Sequence, residues 1–175
     1  MSELPQRKPI RLTQYDYSQN GCYFVTICVK DRHEMLGRVV YGGDGPYSYL
    51  SNDGKIVRND IDVLSMHYTN VFIDKYIIMP NHIHMIIRLV GAPLAAPAIE
   101  NIMIADKAGR ASAPPTIGTI IRCFKSGVSR KLGFSLWQRS YHDRIIRSEK
   151  EYQCIWRYID ENPAHWADDE YYPIK

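Results

Sequence analysis

The feature that most constrains the fold is a pair of apolar runs on either side of the dipeptide Pro80-Asn81. Residues 71–79 before it and 82–90 after it are rich in isoleucine, valine and methionine, as buried strands are. Proline has no amide hydrogen to donate, so Pro80 cannot lie inside a central strand and is typical of a turn. We therefore predict an antiparallel hairpin with its turn at Pro80-Asn81.

The second strand of this hairpin begins with His82-Ile83-His84. Successive side chains of a strand point to opposite faces, so His82 and His84 share one face and Ile83 lies on the other. Two imidazoles about 7 Å apart along a strand can hold a metal ion if a further ligand is supplied. The pattern also fits two histidines on a sheet surface that bind water or neighbouring side chains. The two histidines alone would also allow zinc.

The rest of the chain alternates between strand and helix patterns. In order, we predict a strand over residues 22–30, a helix over 54–68, the hairpin strands 71–79 and 82–90, a helix over 116–132, an edge strand within 136–147 and a helix over 148–162. Turn signals between the first strand and the first helix indicate a small additional hairpin. The order βαββαβ predicts an α+β, ferredoxin-like antiparallel sheet with helices on one face, followed by an added C-terminal helix.

The length and composition of the chain suit one globular unit. With 175 residues, 45% of them hydrophobic, we expect a single domain over residues 1–175. Residues 1–20 are expected to form a polar N-terminal lead-in. Residues 91–115 hold four prolines among small residues. A connection of this length is unusual inside a compact domain, so we expect a mobile connection there.

The sequence predicts neither a membrane span, nor a signal peptide, nor a disulfide framework. No apolar run is long enough to cross a membrane, and residues 1–11 lack the apolar core of a signal peptide. The four cysteines are scattered and form no CxxC pair, which favours reduced thiols over a disulfide framework or a zinc knuckle. We therefore expect a cytoplasmic protein with no membrane partner.

The last predicted helix carries two polar side chains beside its buried face. Ile155 and Ile159 mark that face, and Tyr158 and Asn162 lie about 40° apart around the helix axis. A tyrosine hydroxyl and an amide oxygen would therefore point towards the protein body. The simpler interpretation is a packed tyrosine, one of thirteen, and an asparagine that ends the helix before Pro163.

Positive charge is concentrated in residues 116–150. Eight lysines and arginines stand against Asp143 and Glu149, which gives a local charge of +6 (8 − 2) in a chain of net charge +3. Basic residues with interleaved aromatic residues favour phosphate contacts and stacking of unpaired bases. The candidate nucleic-acid-binding residues are Arg122, Lys125, Arg130, Lys131, Trp137, Arg139 and Arg144. The tail after Tyr158, which includes Asp169, is acidic.

These groups suit the cleavage of a phosphodiester. A tyrosine hydroxyl can attack phosphorus in line and leave a covalent phosphotyrosine, although its pKa near 10 makes it a poor nucleophile without help. A divalent ion held by neutral histidines and an amide oxygen could polarise the phosphate. A neighbouring basic surface could position the strand.

Four pieces of the sequence carry a resemblance to a known family. They are Met79-Pro80-Asn81-His82-Ile83-His84, Phe124-Lys125-Ser126, Trp137-Gln138-Arg139 and Tyr158-Ile159-Asp160-Glu161-Asn162-Pro163. With these pieces the chain resembles the single-tyrosine His-hydrophobe-His (HUH) transposases, specifically the REP-associated tyrosine transposase branch. The similarity runs from about residue 23 to residue 166, and the tyrosine piece together with the two histidines is specific.

The resemblance implies an enzyme that cleaves and rejoins single-stranded DNA with hairpin repeats. Tyr158 would be the nucleophile, forming a 5′-phosphotyrosine link and releasing a 3′-OH. His82 and His84 would bind Mg²⁺ or Mn²⁺, and Asn162 falls where the family supplies a third polar ligand. Related enzymes can assemble active sites across a dimer, so a homodimer is left open.

Two other functions are left open by the sequence. One is a module of the same fold class that binds single-stranded nucleic acid without chemistry. Its binding would be indifferent to divalent ions. The other is a metal-dependent hydrolase of small phosphates, which would leave Tyr158 and the basic region unused.

Overall fold

The computed structural model describes residues 20–90 and 115–172. Its helices and strands are β1 (Gly21–Cys28), β2 (Gly37–Gly42), β3 (Gly45–Leu50), α1 (Asn52–Asp62), α2 (Leu64–His67), β4 (Val71–Ile78), β5 (His82–Leu89), α3 (Ile117–Leu132), β6 (His142–Ile146) and α4 (Glu149–Glu161). Short 3₁₀ turns lie at Lys30–Arg32 and Trp166–Asp168.

The main sheet has four strands in the order β4-β5-β1-β6, and every neighbouring pair is antiparallel. The strands β2 and β3 form a separate two-stranded ribbon, as the turn signals predict. This strand order, with helices between β3 and β4 and between β5 and β6, is that of the ferredoxin-like fold. The predicted α+β fold class is therefore confirmed.

The predicted hairpin is formed by β4 and β5, and its turn is tied to neighbouring segments. The carbonyls of Pro80 and Asn81 accept hydrogen bonds from the amides of Leu36 and Val29, at 2.9 and 2.8 Å. Because the turn is held in this way, the start of β5 at His82 is fixed relative to the end of β1.

Polar side chains mark the beginnings of the three longer helices. The hydroxyls of Ser51, Thr116 and Ser148 each accept a hydrogen bond from the amide three residues on. The first helix differs from its prediction. It begins at Asn52 and stops near Val63, whose ψ of −3° departs from helical geometry, and α2 follows as a separate short helix.

The central strand β5 is covered on both faces, and its side chains alternate between two layers. Ile83 and Ile87 belong to the main core, together with buried residues of α1 and α3. Ile86 lies on the opposite face and packs with the buried isoleucines of α4. His82 and His84 share the parity of Ile86, so they face the layer that contains α4.

Two expectations concern residues beyond the described ranges. The polar lead-in of residues 1–20 and the mobile connection of residues 91–115 lie outside the described residues, apart from Asn20 and Pro115. The single-domain interpretation therefore stays a prediction. Among the helices in the described ranges, none is both long and apolar enough to cross a membrane.

The first turn of α1 packs tightly against the backbone that precedes the ribbon. A β-carbon added at Gly54 would overlap the carbonyl oxygen of Leu36. We expect Gly54→Ala to lower the free energy of unfolding by about 1–3 kcal/mol, although alanine is the better helix former. Urea denaturation measures the change. Gly43→Ala is the control, since a β-carbon there meets nothing within 4 Å. Equal midpoints for both variants would contradict the tight packing at Gly54.

Candidate active site

Two histidines of β5 and the tyrosine of α4 meet on one face of the sheet. The ring centroids of His82 and His84 are 4.5 Å apart. The Tyr158 hydroxyl lies 3.3 Å from Nε2 of His84, and the centroids of these two rings are 5.2 Å apart. Residues that are 74 positions apart in the sequence are thus brought into contact.

The helix α4 reaches the histidines because its apolar side packs on the sheet. Ile155 and Ile159 are buried against Ile86. Tyr158 borders this buried side and is 42% exposed, whereas Asn162, one turn further along, is 2% exposed. Both polar side chains therefore lie where the helical spacing predicts, with the tyrosine accessible and the asparagine enclosed.

Each histidine is oriented by a partner at Nδ1. Nδ1 of His84 lies 2.8 Å from the Thr26 hydroxyl, and Nδ1 of His82 lies 2.9 Å from the Asn81 side-chain oxygen. The Asn81 side-chain nitrogen donates to two backbone carbonyls, which fixes the direction of its oxygen. Because that oxygen can only accept, Nδ1 of His82 carries the proton and Nε2 is left as an acceptor. Partners of this kind orient histidines that bind metal ions.

Both imidazoles are buried and neutral. His82 and His84 are 0% and 1% exposed. Burial lowers the pKa of His82 to about 2 and the pKa of His84 to about 3. Neutral imidazole is the form that binds metal ions. Nε2 of His82 has no hydrogen-bond partner in the part of the chain that the structure describes, and such a buried acceptor is suited to a cation.

Two oxygen-bearing side chains lie beside the histidines. The Asn162 side-chain nitrogen donates to the Asp169 carboxylate at 3.3 Å. Its oxygen is buried and has no partner within residues 20–90 and 115–172. Ligand atoms of His82, His84 and Asp169 all lie within 4.8 Å of one another. These imidazoles with an amide or carboxylate oxygen are a suitable donor set for a divalent ion.

The residues that follow α4 pack against the histidine pair. The rings of Tyr171 and Trp166 lie 4.6 and 5.9 Å from the ring of His82. Arg32 holds this segment, because its guanidinium lies over the Tyr171 ring and donates to the carbonyl of Glu170. The segment shields His82 from water and brings Asp169 to the site.

The tyrosine hydroxyl is protonated in these surroundings. Burial, and then the negative charge of Asp169, raise the pKa of Tyr158 to about 12, although a hydrogen bond with Asn162 acts in the opposite direction. A neutral phenol is a weak nucleophile. Positive charge near the hydroxyl favours the phenolate, so a cation bound beside the histidines would activate it.

Sequence reasoning missed three residues of the site. Asp169 counts there only as part of an acidic tail, and Asn81 only as a turn residue. The position of Asn81 directly before His82 is a usable signal, because neighbouring polar groups often orient metal ligands. Thr26 gives no local signal, since its contact with His84 follows only from the register of β1 and β5.

The basic residues of the predicted nucleic-acid surface do not form one patch. Those on α3 belong to the layer that packs on the sheet face opposite the histidines. Among them, Lys131 pairs with Asp60, and Lys125 donates to three consecutive carbonyls of residues 138–140. Arg122 and Arg130 are exposed. The structure thus divides these side chains between structural contacts and separate surfaces.

The remaining candidates lie near β6. Trp137 is 5% exposed and packs in the main core, with its ring 5.9 Å from that of Phe124. Its ring is not available to unpaired bases, which corrects the predicted stacking role of this residue. Arg139 and Arg144 are exposed, and Arg144 pairs with Glu151 at 2.7 Å.

The hydroxyl of Thr26 should support metal binding because it orients His84. We expect Thr26→Val to weaken Mn²⁺ binding by about 10- to 100-fold, which is typical when a metal-binding histidine loses its partner. Isothermal titration calorimetry measures the dissociation constant. Thr26→Ser keeps the hydroxyl and is the control, expected to bind Mn²⁺ nearly as the native protein does. Equal affinities for Thr26→Val and the native protein would contradict the orienting role.

Comparisons with known proteins bear on the family and the fold of the chain. No family model matches the chain. A Haemophilus influenzae protein described as uncharacterized is 35% identical over 171 residues, which covers 95% of this chain and 93% of that protein. A solved REP-associated tyrosine transposase, bound to a REP hairpin, aligns with a TM-score of 0.58 and 18% identity over 95% of this chain and 74% of that one.

A crystal structure of a candidate transposase from Deinococcus radiodurans aligns with a TM-score of 0.42 and 16% identity, over 86% of this chain and 95% of that chain. This second likeness is too weak to support an argument. The first establishes the fold, which is the fold that the resemblance implies. The chain therefore belongs to the same family as the Haemophilus influenzae protein and has the fold of the REP-associated tyrosine transposases.

Proposed function

We propose that this protein cleaves and rejoins single-stranded DNA that carries hairpin repeats, through a 5′-phosphotyrosine formed on Tyr158. One observation carries the proposal. The Tyr158 hydroxyl lies 3.3 Å from Nε2 of His84, the atom through which this histidine would bind a divalent ion. A nucleophile beside a metal site can attack a phosphate that the same ion polarises.

The proposed substrate rests on the structural relative and on the exposed basic side chains. The relative with a TM-score of 0.58 is a transposase bound to a REP hairpin, which supports a hairpin-bearing single strand as the substrate here. Arg139 and Arg144 are exposed near the sheet edge formed by β6 and are available for phosphate contacts. Arg122 and Arg130 are also exposed, but they lie on α3 in the layer on the opposite face of the sheet, so any DNA contact they make would be separate from these.

The proposed cofactor is Mg²⁺ or Mn²⁺. His82 and His84 would hold the ion through Nε2, with the Asn162 side-chain oxygen or the Asp169 carboxylate as the oxygen ligand. An oxygen donor suits Mg²⁺ and Mn²⁺, and the open coordination positions would accept the phosphate. When bound, such an ion polarises the scissile phosphate and offsets the negative charge that develops on it.

In the proposed cleavage, a bond forms between the Tyr158 oxygen and phosphorus while the bond from phosphorus to the 3′ oxygen breaks. The phenolic proton leaves Tyr158, and the departing 3′ oxygen takes up a proton to become a free 3′-OH. Rejoining is the reverse displacement, with a 3′-OH as the attacking group. Tyr158 packs against His84, and this contact would keep the linked strand end at the site between the two steps.

A single copy of the chain supplies every proposed site residue. His82 and His84 come from β5, and Tyr158 and Asn162 from the α4 region of the same chain. None of these proposed residues has to come from a second copy. The homodimer that the sequence leaves open therefore has no support in this arrangement.

A covalent adduct tests the proposal. With Mn²⁺ and single-stranded hairpin DNA from repeats flanking the gene, we expect a protein–DNA adduct that survives denaturing electrophoresis. Tyr158→Phe is expected to abolish it, because no hydroxyl remains to attack. Tyr172→Phe is the matched control, since Tyr172 is 40% exposed and Tyr158 is 42% exposed. An adduct that persists in Tyr158→Phe would overturn the assignment of the nucleophile.

Metal removal separates this function from a binding module without chemistry. We expect EDTA to abolish adduct formation and Mn²⁺ to restore it. His82→Ala should slow adduct formation by about 100-fold or more, because the ion's stabilisation of the phosphate is lost. Exposed His33 provides the control variant His33→Ala, expected to react normally. DNA binding that ignores both Mn²⁺ and His82→Ala, with no adduct, would instead support the binding module.

A further inference from the structure

The sheet face that carries the histidines is only partly covered by α4. This helix packs across β4 and β5, and Phe24 of β1 and Ile146 of β6 also pack against the cluster formed by Ile86 and the two buried isoleucines of the helix. On the same face, β1 and β6 present Phe24, His142 and Arg144. Phe24 is half-buried, and the other two side chains are exposed. The open part of the face begins directly beside the proposed active site.

Phe24 joins this open area to the reacting groups. Its ring stacks on His84 with a centroid distance of 5.2 Å and an interplanar angle of 28°. It also meets the Tyr158 ring edge-on, at 6.0 Å and 86°. A strand bound for attack by Tyr158 would therefore pass beside this ring.

The register of β1 and β6 places two cationic or polar side chains next to this ring. Arg144 lies opposite Phe24, and His142 lies opposite Thr26, so all of them share the face of His84. The Arg144 side chain is 71% exposed and its pair with Glu151 is solvent-accessible. Exposed ion pairs of this kind are weak, so the guanidinium can exchange its partner for a phosphate.

We propose that Phe24, His142 and Arg144 form a binding track for the unpaired strand beside the cleavage position. One base stacks on Phe24, and Arg144 and His142 contact the backbone of that nucleotide and its neighbour. The track rests on the proposed function for its single-stranded substrate, and it adds residues that recognise the strand. Aromatic stacking combined with cationic groups is how proteins hold unpaired nucleic acid.

Unpaired DNA fits this surface better than a protein partner does. The ring area is that of one base, and an arginine is aligned with it across the strand pair. A protein seated on Phe24 would also cover Tyr158, which the ring contacts, and would close the active site. Bases inside a duplex are stacked on one another and cannot offer a face to Phe24.

Binding without cleavage tests the track. In a Tyr158→Phe background, fluorescence anisotropy with a labelled, unstructured thymidine oligonucleotide gives the dissociation constant. We expect Phe24→Leu to raise it about 5- to 100-fold, because stacking is lost, while Phe24→Trp retains binding. Arg144→Ala should reduce the salt dependence of binding by about one phosphate contact. Phe72→Leu, at the opposite edge strand and 39% exposed, is the matched control.

A second measurement needs no substitution of Phe24. Photo-crosslinking with 5-iodouracil in place of one thymine should join the base next to the cleavage position to the peptide that contains Phe24. Unchanged binding in Phe24→Leu, or a crosslink only to other peptides, would overturn the track. If native protein still forms the Tyr158 adduct in that case, the proposed function stands alone. If no adduct forms but binding depends on Phe24, the track stands and the cleavage proposal falls.

Discussion

The rest of the site depends on two imidazoles that are buried on one face of β5 and need polar partners there. A polar group removed from water is unfavourable unless it finds a partner. Thr26 and Asn81 meet Nδ1 of His84 and of His82, and ligand atoms of the two rings share one small volume with the Asp169 carboxylate, all within 4.8 Å of one another. Because burial also keeps the rings neutral, a cation is the expected partner for the imidazole nitrogen that has no hydrogen bond.

The period of a strand and the period of a helix together bring distant residues to that volume. A period of two places His82 and His84 side by side on β5, and a period near 3.6 places Tyr158 and Asn162 along one side of α4. The buried isoleucines of α4 dock it on the sheet, so the tyrosine hydroxyl is positioned by a packed helix and not by a loop. Rigid elements of this kind hold reacting groups in a defined geometry.

How much of the structure can be predicted from the sequence depends on whether an interaction is local or joins residues that are distant in the chain. The order of strands and helices, the turn at Pro80 and the placement of Tyr158 depend on local patterns, and the structure agrees with them. Asp169 and Thr26 enter the site through tertiary contacts that no local pattern encodes. Trp137 is predicted to bind bases and instead lies in the core. Composition alone cannot distinguish a core aromatic residue from one that stacks on bases.

The central claim is that His82, His84 and Tyr158 form one metal-dependent site. A crystal structure of the protein soaked in Mn²⁺, with anomalous diffraction data to locate the ion, tests it most directly. We expect one strong anomalous peak in coordination contact with Nε2 of both histidines and with an oxygen of Asn162 or Asp169, beside the Tyr158 hydroxyl. A well-ordered site without a peak at the histidines, or a peak bound elsewhere, would contradict the claim.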